Sequence, residues 1–208
     1  MSASPYEELK KRILLLELGP GQPLVPKLLA SELGVSATPI REALIRLEGE
    51  GLVKRHPNST AYVSEISFHD LKHVVEARLL LADQIGRLAA ARVTQQEISK
   101  MEQVLEKMRS AHDRRSLIQL DSEFHALVNA AAKNPVLGKI ANLLRNQVMR
   151  LWYFVSDEHS YWVDMISNRE RFVQSLKDRD ADAAARMSRE HILRFIQEVR
   201  DSLGGEVC

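Results

Sequence analysis

The stretch 28–52 constrains the fold of this chain more than any other part of it. Leucines at helical spacing give a short first helix an apolar face, and Gly34 suits its end because glycine takes a positive φ without strain. Ser36 offers an N-cap for a second helix, and Pro39 falls in that helix's first turn, where a missing N–H costs little. Two short helices joined by a glycine-containing turn predict a helix-turn-helix, with residues 36–47 as the recognition helix. The alternative is an αα-corner without a ligand.

Two strand-like runs follow the second helix and favour the first of these interpretations. One begins at Leu52 and Val53, the other covers 61–63, and a turn-forming stretch at 56–60 separates them. A helix-turn-helix followed by a hairpin is a winged helix. The face of the recognition helix that the apolar pattern leaves exposed carries Thr38, Arg41, Glu42, Ile45 and Arg46.

Three sequence elements resemble the N-terminal DNA-binding domain of the GntR family of bacterial transcription regulators. They are GPGQPL, LASELGVS and TPIREALIRLEGEGLV, which occur in the family's order and spacing within residues 6–66. The resemblance implies a winged helix that binds a double-stranded DNA operator. The residues expected to contact DNA are Lys27, Ser36, Thr38, Arg41, Arg46, Asn58 and Ser59.

The chain departs from the family pattern at three places. Pro26 replaces an acidic residue, Ala37 replaces an arginine that usually contacts DNA, and Ser59-Thr60 replaces the Arg-Gly of the wing. An arginine can bind a guanine edge through two hydrogen bonds and an alanine cannot, so the departures predict an altered operator sequence. Residues 1–66 hold eight Lys and Arg against eight Asp and Glu, and therefore have no net charge. A winged helix used for protein contacts is the alternative, and it predicts no salt-dependent DNA binding.

Composition limits the remaining classes of protein. The chain has 208 residues, of which 45% are hydrophobic, so it can form one or two domains with a sizeable core. The formal net charge of +1 excludes a bulk polycation, and the single Cys208 excludes an intrachain disulfide and a cysteine-rich zinc site. No apolar run has the length of a membrane span and no signal peptide opens the chain, which predicts a soluble, cytoplasmic protein.

Helical periodicity with almost no strand signal runs from about residue 67 to the end and predicts six helices. The expected fold is therefore mainly α. A winged helix-turn-helix with a small β-hairpin wing would occupy residues 1–66, and an all-α six-helix bundle would occupy residues 67–208.

Five polar side chains interrupt the apolar stripes of these helices. Arg78, Arg169 and His191 stand where the stripe requires an apolar residue, and Asp121 and His125 lie four residues apart on one helix face. Each one alone is more typical of a satisfied core group, because a buried charge must be paired. Five of them in four helices predict one polar cavity, of the kind that holds a metal or a small ligand in helical bundles.

The second part of the chain resembles the FCD ligand-binding domain of the FadR branch of GntR regulators. The elements are EARLLL, DSEFH, NPVLGKI and DADAAARMSREHI, within residues 68–202. Many members hold a divalent metal with an aspartate and three histidines, and Asp121, His125 and His191 match three of these ligands by position. The fourth position is Arg169, which cannot ligate a metal because its guanidinium stays protonated. A site for zinc or a similar ion would therefore be incomplete.

Arg169 suggests a different chemistry for the cavity. A guanidinium offers a carboxylate two parallel N–H donors, so Arg169 can replace the ion that helps relatives hold an organic acid, with Arg78 as a second anchor. Asp121 would hold Arg169 or His191 in place when no acid is bound. The alternative is a structural salt bridge between Arg169 and Asp121 with no effector.

These features together predict a homodimeric transcription regulator whose operator binding is modulated by a small carboxylate effector. One alternative is a metal-responsive regulator that uses Asp121, His125 and His191. Another is a metal-dependent enzyme, which is disfavoured because the candidate ligands have no further acid or base beside them except Arg169.

Overall fold

The computed structural model describes residues 4–55, 60–65, 68–151 and 159–202. The chain forms two compact units. The first consists of Met1–Ser67 with Asn146–Arg150, and the second of Phe68–Arg145 with Leu151–Cys208. No helix in the described ranges combines the length and the apolar character that crossing a bilayer requires.

The first unit contains three helices and a small sheet within its described residues. Its helices are α1 (Pro5–Leu14), α2 (Pro26–Leu33) and α3 (Ala37–Gly49). Its strands are β1 (Pro23–Leu24), β2 (Val53–Arg55) and β3 (Ala61–Val63). The helix-turn-helix predicted from sequence is α2 and α3, and Gly34 ends α2 in the left-handed conformation with φ +65°. Ser36 is the N-cap of α3, but its side chain makes no capping hydrogen bond.

The strands form an antiparallel sheet in the order β1-β3-β2. β2 and β3 are the predicted wing hairpin, with Val53 opposite Val63 and Arg55 opposite Ala61. β1 was not predicted; its Leu24 lies opposite Ala61 on the other edge of β3. The tip of the wing, at residues 56–59, lies outside the described residues.

The core of the first unit lies between α1, α3 and the sheet. The largest side chains that are completely buried there are Leu9, Ile13, Leu24, Ile40, Leu44, Leu47 and Leu52. Ile40, Leu44 and Leu47 are the predicted apolar stripe of α3, so the packing leaves the opposite face of that helix exposed.

The second unit contains six helices in the described part of the chain, and these match the predicted number. They are α4 (Phe68–Arg92), α5 (Gln95–Arg109), α6 (Arg114–Ala131), α7 (Pro135–Met149), α8 (His159–Lys177) and α9 (Ala181–Ser202). The last four residues of α7, from Asn146 onward, are assigned to the first unit. The predicted fold class, mainly α with an N-terminal winged helix and a C-terminal helical bundle, is therefore confirmed.

Local sequence signals set the starts of the two helices that follow α4. Thr94 and Glu97 form a capping box at α5, in which each side chain accepts a hydrogen bond from the other residue's backbone N–H. Asp113 caps α6 by accepting a hydrogen bond from the backbone N–H of Ser116 at 2.8 Å.

Gly86 permits the close packing of α4 against α9. A Cβ atom placed on Gly86 would lie 2.8 Å from the backbone oxygen of Ala184, which is closer than real Cβ contacts allow. The two backbones can therefore approach only because residue 86 has no side chain. Arg78 lies about two turns before this contact on α4, and His191 lies about two turns after it on α9.

Candidate functional sites

A cavity lies inside the second unit and is lined by residues from α4, α6, α7, α8 and α9. The volume of this cavity is about 70 Å³, which limits an occupant to a small molecule. One part of the wall is apolar and includes Leu81, Ile85, Phe124, Val128, Phe172 and Ile192. The other part is basic and includes Arg78, His125, Arg145, Arg169 and His191. The cavity thus combines hydrocarbon surface with fixed positive charge.

Arg169 is the centre of the polar cluster. Its Nη2 donates a hydrogen bond to the carboxylate of Asp121, and it lies 3.4 Å from Nε2 of His125 and 3.2 Å from Nε2 of His191. The guanidinium carbon is also 4.8 Å from the centre of the Phe124 ring. Arg169 and Asp121 are both buried, with 3% and 1% of their surface exposed. Four of the five polar residues that interrupted the helical stripes therefore line one cavity, and Asp121 contacts Arg169 beside it, while their roles in binding stay predictions.

Charge and burial shift the pKa of Asp121 in opposite directions and the pKa of the two histidines in the same direction. Burial favours a raised pKa for Asp121, but the positive charges of Arg169 and Arg145 outweigh it and hold that pKa below its usual value. Burial lowers the pKa of His125 and of His191 well below the usual range, and Arg169 lowers both further. The cluster therefore contains an ionised carboxylate and two neutral imidazoles at neutral pH.

Two further arginines border the cavity. Arg78 is buried, and its Nη1 has no hydrogen-bond partner among the described residues. Burial and the nearby charge of Arg145 lower the pKa of Arg78 to about 10, so it remains protonated at neutral pH. Arg145 lies with its Nη1 3.6 Å from Oδ2 of Asp121.

The exposed face of α3 is the second candidate site. Its side chains are Thr38, Arg41, Glu42 and Ile45, and they stand opposite the buried stripe of the helix. Lys27, in the first turn of α2, and Ser36, before α3, are also exposed. Because the Ser36 side chain makes no capping hydrogen bond, its hydroxyl is not committed to the helix end.

Arg46 differs from the other predicted DNA contacts. Its guanidinium carbon lies 3.7 Å from the centre of the Tyr6 ring, which is a close cation–π contact. The Tyr6 hydroxyl in turn donates a hydrogen bond to Glu50, and Lys10 forms a salt bridge with Glu50 at 2.7 Å. Arg46 therefore already has a structural partner.

Two family models match the chain. The model described as "Bacterial regulatory proteins, gntR family" matches residues 2–63, and the model described as "FCD domain" matches residues 73–194, which is more than half of the chain. The chain belongs to the FCD branch of the GntR family. The first unit therefore contains the gntR DNA-binding region of a transcription regulator, and most of the FCD match lies in the second unit.

Curated relatives of this GntR protein are similar over nearly the whole chain. It is 28% identical over 198 residues to "HTH-type transcriptional repressor RspR" of Escherichia coli, covering 94% of this chain and 87% of the relative. It is 28% identical over 196 residues to "Nta operon transcriptional regulator" of Aminobacter aminovorans, covering 90% and 89%. Neither name denotes an enzyme.

Solved structures share the fold of this GntR protein. "E. coli McbR/YncC" superimposes with a TM-score of 0.87 at 23% identity, covering 98% of this chain and 100% of that chain. A GntR structure from Rhodococcus sp. RHA1 has a TM-score of 0.75 at 16% identity, covering 96% and 95%.

The FCD cavity does not fit a resident divalent metal. Ligand atoms of Asp121, His125 and His191 all lie within 4.8 Å of one another, as a metal site requires. Nη2 of Arg169, however, lies among these three atoms and takes the Asp121 carboxylate as its own partner. A cation cannot share that position with a guanidinium, because like charges repel and the arginine has no lone pair to donate.

Sequence reasoning missed Arg145 of the FCD cavity. A signal for it exists, because Arg145 follows Ala141 by four residues and precedes the buried Val148 by three, so all three lie on one face of α7.

The predicted DNA contacts Asn58 and Ser59 lie outside the described residues.

Proposed function

We propose that this regulator is a homodimer whose binding to its DNA operator is modulated by a small organic acid in the FCD cavity. The observation that carries the proposal is Arg78, a buried guanidinium with one nitrogen unpartnered by any described residue, in a cavity that already holds Arg169. A carboxylate is the ligand that such groups recognise through paired, charge-assisted hydrogen bonds.

The energetic argument starts from the cost of unsatisfied donors. Nη1 of Arg78 and Nε of Arg169 are buried without a hydrogen-bond partner among the described residues. Leaving a buried donor unpaired costs about 1–3 kcal/mol, and more when the group is charged. An acid that accepts from these nitrogens recovers that cost on binding. The Asp121 carboxylate holds Arg169 in place in the absence of the acid.

The apolar wall of the cavity supports an organic acid over an inorganic anion. Ile85, Phe124 and Phe172 present hydrocarbon surface to the same space as the arginines. Burying the carbon skeleton of a ligand against this wall adds roughly 25 cal/mol for each Å² of apolar surface removed from water.

On the DNA side, we propose that α3 of each protomer enters a major groove, so that the dimer reads two half-sites. Arg41 is the side chain suited to a guanine edge, and Thr38 lies beside it on the exposed face. Lys27 and the uncommitted hydroxyl of Ser36 are suited to phosphate oxygens. With no net charge on residues 1–66, base contacts must contribute a large share of the affinity.

Regulation requires that the acid bind the DNA-competent and DNA-incompetent states of the dimer with different affinity. By linkage, the factor by which the acid changes DNA affinity equals the factor by which DNA changes acid affinity. Measuring both factors therefore distinguishes an acid that is coupled to DNA binding from one that binds without changing DNA affinity.

The test begins with selection of genomic DNA fragments on the purified full-length protein at two salt concentrations. A recovered pseudo-palindrome, together with a dimer by sedimentation, is the expected result. DNA affinity is then measured by fluorescence anisotropy against a panel of three- to six-carbon mono- and dicarboxylic acids. We expect at least one acid to change the dissociation constant severalfold, within the usual range of coupling energies.

The matched variants are Arg78→Met and Arg87→Met, both on α4. Arg87 is partly exposed and pairs with Asp83 and Asp182 away from the cavity lining. The acid-induced change should disappear in R78M and persist in R87M. Intact operator binding that no acid alters would contradict the proposal. A change caused by Zn²⁺ alone and abolished by EDTA would favour the metal-responsive alternative.

A further inference from the structure

We infer that the acid recognised by the FCD cavity is a dicarboxylate, with one carboxylate bound by Arg169 and the other by Arg78. The inference rests on the proposed function, because it names the class of acid for the same cavity. The charge balance of the cavity, the origin of the two arginines on different helices and the hydrocarbon part of the cavity lining support it.

The charge balance of the cavity favours a ligand with two negative charges. Three arginines line it, and the one carboxylate that contacts them is Asp121, among the residues that the structure describes. Asp121 contacts both Arg169 and Arg145, so one negative charge serves two guanidiniums, and Arg78 contacts no carboxylate there. A buried charge is costly unless it is compensated, and a dianion compensates two. A monocarboxylate compensates one.

Arg78 and Arg169 each offer an unpartnered donor nitrogen. Among the described residues, Nη1 of Arg78 on α4 and Nε of Arg169 on α8 have no hydrogen-bond partner. Asp121 accepts from Nη2 of Arg169, which leaves Nε of that guanidinium as a donor for a ligand. Free donors on two different helices suit two carboxylates carried on one skeleton.

The lining of the cavity also contains hydrocarbon side chains from both helices. Leu81 and Ile85 follow Arg78 along α4, and Phe172 follows Arg169 by three residues on α8. Methylene groups that join two carboxylates can pack on these side chains while the carboxylates reach the arginines. The ligand class is therefore a short dicarboxylic acid with an apolar middle.

The experiment compares acids that share a carbon skeleton and differ in one carboxylate. Butyrate with succinate, and pentanoate with glutarate, are titrated into the full-length protein without DNA by isothermal titration calorimetry. We expect the diacid of at least one pair to bind at least about tenfold tighter than its monoacid, because one charge-assisted hydrogen-bonding pair is worth roughly that factor. The wild-type comparison requires no variant that could fail to fold.

R78M then locates the second carboxylate. In this variant the diacid and the monoacid should bind within about threefold of each other, whereas R87M should keep the wild-type ratio. The melting temperature of R78M without ligand gives an independent readout. We expect it to rise, because methionine removes an uncompensated buried charge and keeps an apolar chain of similar length.

The outcomes separate this inference from the proposed function. If neither monoacids nor diacids bind, both fail. If acids bind but monoacids equal diacids in the wild type, the dicarboxylate inference fails alone. If inorganic phosphate or sulfate binds as tightly as the best diacid, one compact dianion satisfies the cavity and the assignment to two carboxylates is overturned.

Discussion

The two units of this protein place their functional residues in opposite ways. In the DNA-binding unit the candidate residues stand on the exposed face of α3, above a core of leucine and isoleucine. In the FCD unit they are buried among the helices, where Asp121 and Arg169 are almost fully enclosed. An exposed contact costs nothing to the free protein and can be changed without loss of stability. A buried one must be balanced by its neighbours, so binding and stability depend on the same side chains.

The sharpest test of this comparison is Asp121→Asn, which removes one charge and keeps the shape. Arg169 would lose its buried counterion, and breaking such a pair costs about 3–5 kcal/mol. We expect the free energy of unfolding, measured by urea denaturation, to fall by that amount.

Asp182→Asn is the control for Asp121→Asn. Asp182 forms an exposed pair with Arg87, and exposed pairs contribute little, so no measurable change in stability is expected. Equal losses in the two variants would mean that the buried pair is not special and that the comparison between the units is wrong.

A second test uses two arginines of α3. Arg41 is exposed without a structural partner in the hydrogen bonds and salt bridges of the described residues, so Arg41→Ala should reduce operator affinity roughly 10- to 100-fold and leave stability unchanged. Arg46 stacks on Tyr6, so Arg46→Ala should lower the free energy of unfolding by about 0.5–1 kcal/mol and affect DNA binding less. Affinity is measured by anisotropy at one fixed salt concentration, because phosphate contacts depend on salt. The reverse order of the two affinity losses would reassign the main DNA contact to Arg46.

A third test is the pH dependence of stability. The pKa of His191 is lowered by burial, by Arg169, by His125 and by Arg78, with only Asp121 acting to raise it. Below the unfolded-state value near 6.5 the unfolded chain takes up a proton that the folded chain does not. The free energy of unfolding should therefore fall as the pH falls from 7 to 5.5, by at most about 1.4 kcal/mol per pH unit for one histidine.

Two variants assign that slope to the cavity. His191→Gln should remove a large part of it, whereas His112→Gln should leave it unchanged because His112 is exposed in the connection before α6. Denaturation curves at each pH provide the measurement. A slope that H112Q reduces as much as H191Q does would place the responsible protons outside the cavity.

Most of the fold could be predicted because the elements are long enough to show a period. The apolar stripes of the helices in the FCD unit identified all six of them, and Gly34 marked the end of α2. β1 has two residues, too few for any period, and it exists because its backbone pairs with β3. α1 ends at Leu14 although leucines continue, because the backbone leaves the helical conformation at Leu16, whose φ is +55°.

Residues of the candidate cavity could be predicted when their charge interrupted the apolar stripe of a helix. They could not be predicted when they lay next to that stripe. Arg78, Arg169 and His191 replaced expected apolar residues, and for that reason they were identified. Arg145 stands beside Leu144, which fitted the stripe, so the only mark on the arginine was its helical spacing from Ala141 and Val148. The stacking of Arg46 on Tyr6 joins two helices and could not be inferred from either one.

Because Arg169 lies among three potential metal ligands, the cavity does not depend on a supply of metal ions for its positive charge. A metal-loaded regulator depends on the availability of its ion, and it can be emptied by a chelator or loaded with a competing ion. A guanidinium that occupies the same position is produced with the chain, in a fixed ratio of one per cavity. The positive group of the cavity is therefore in place as soon as the protein has folded, whatever the supply of a scarce or contaminating metal.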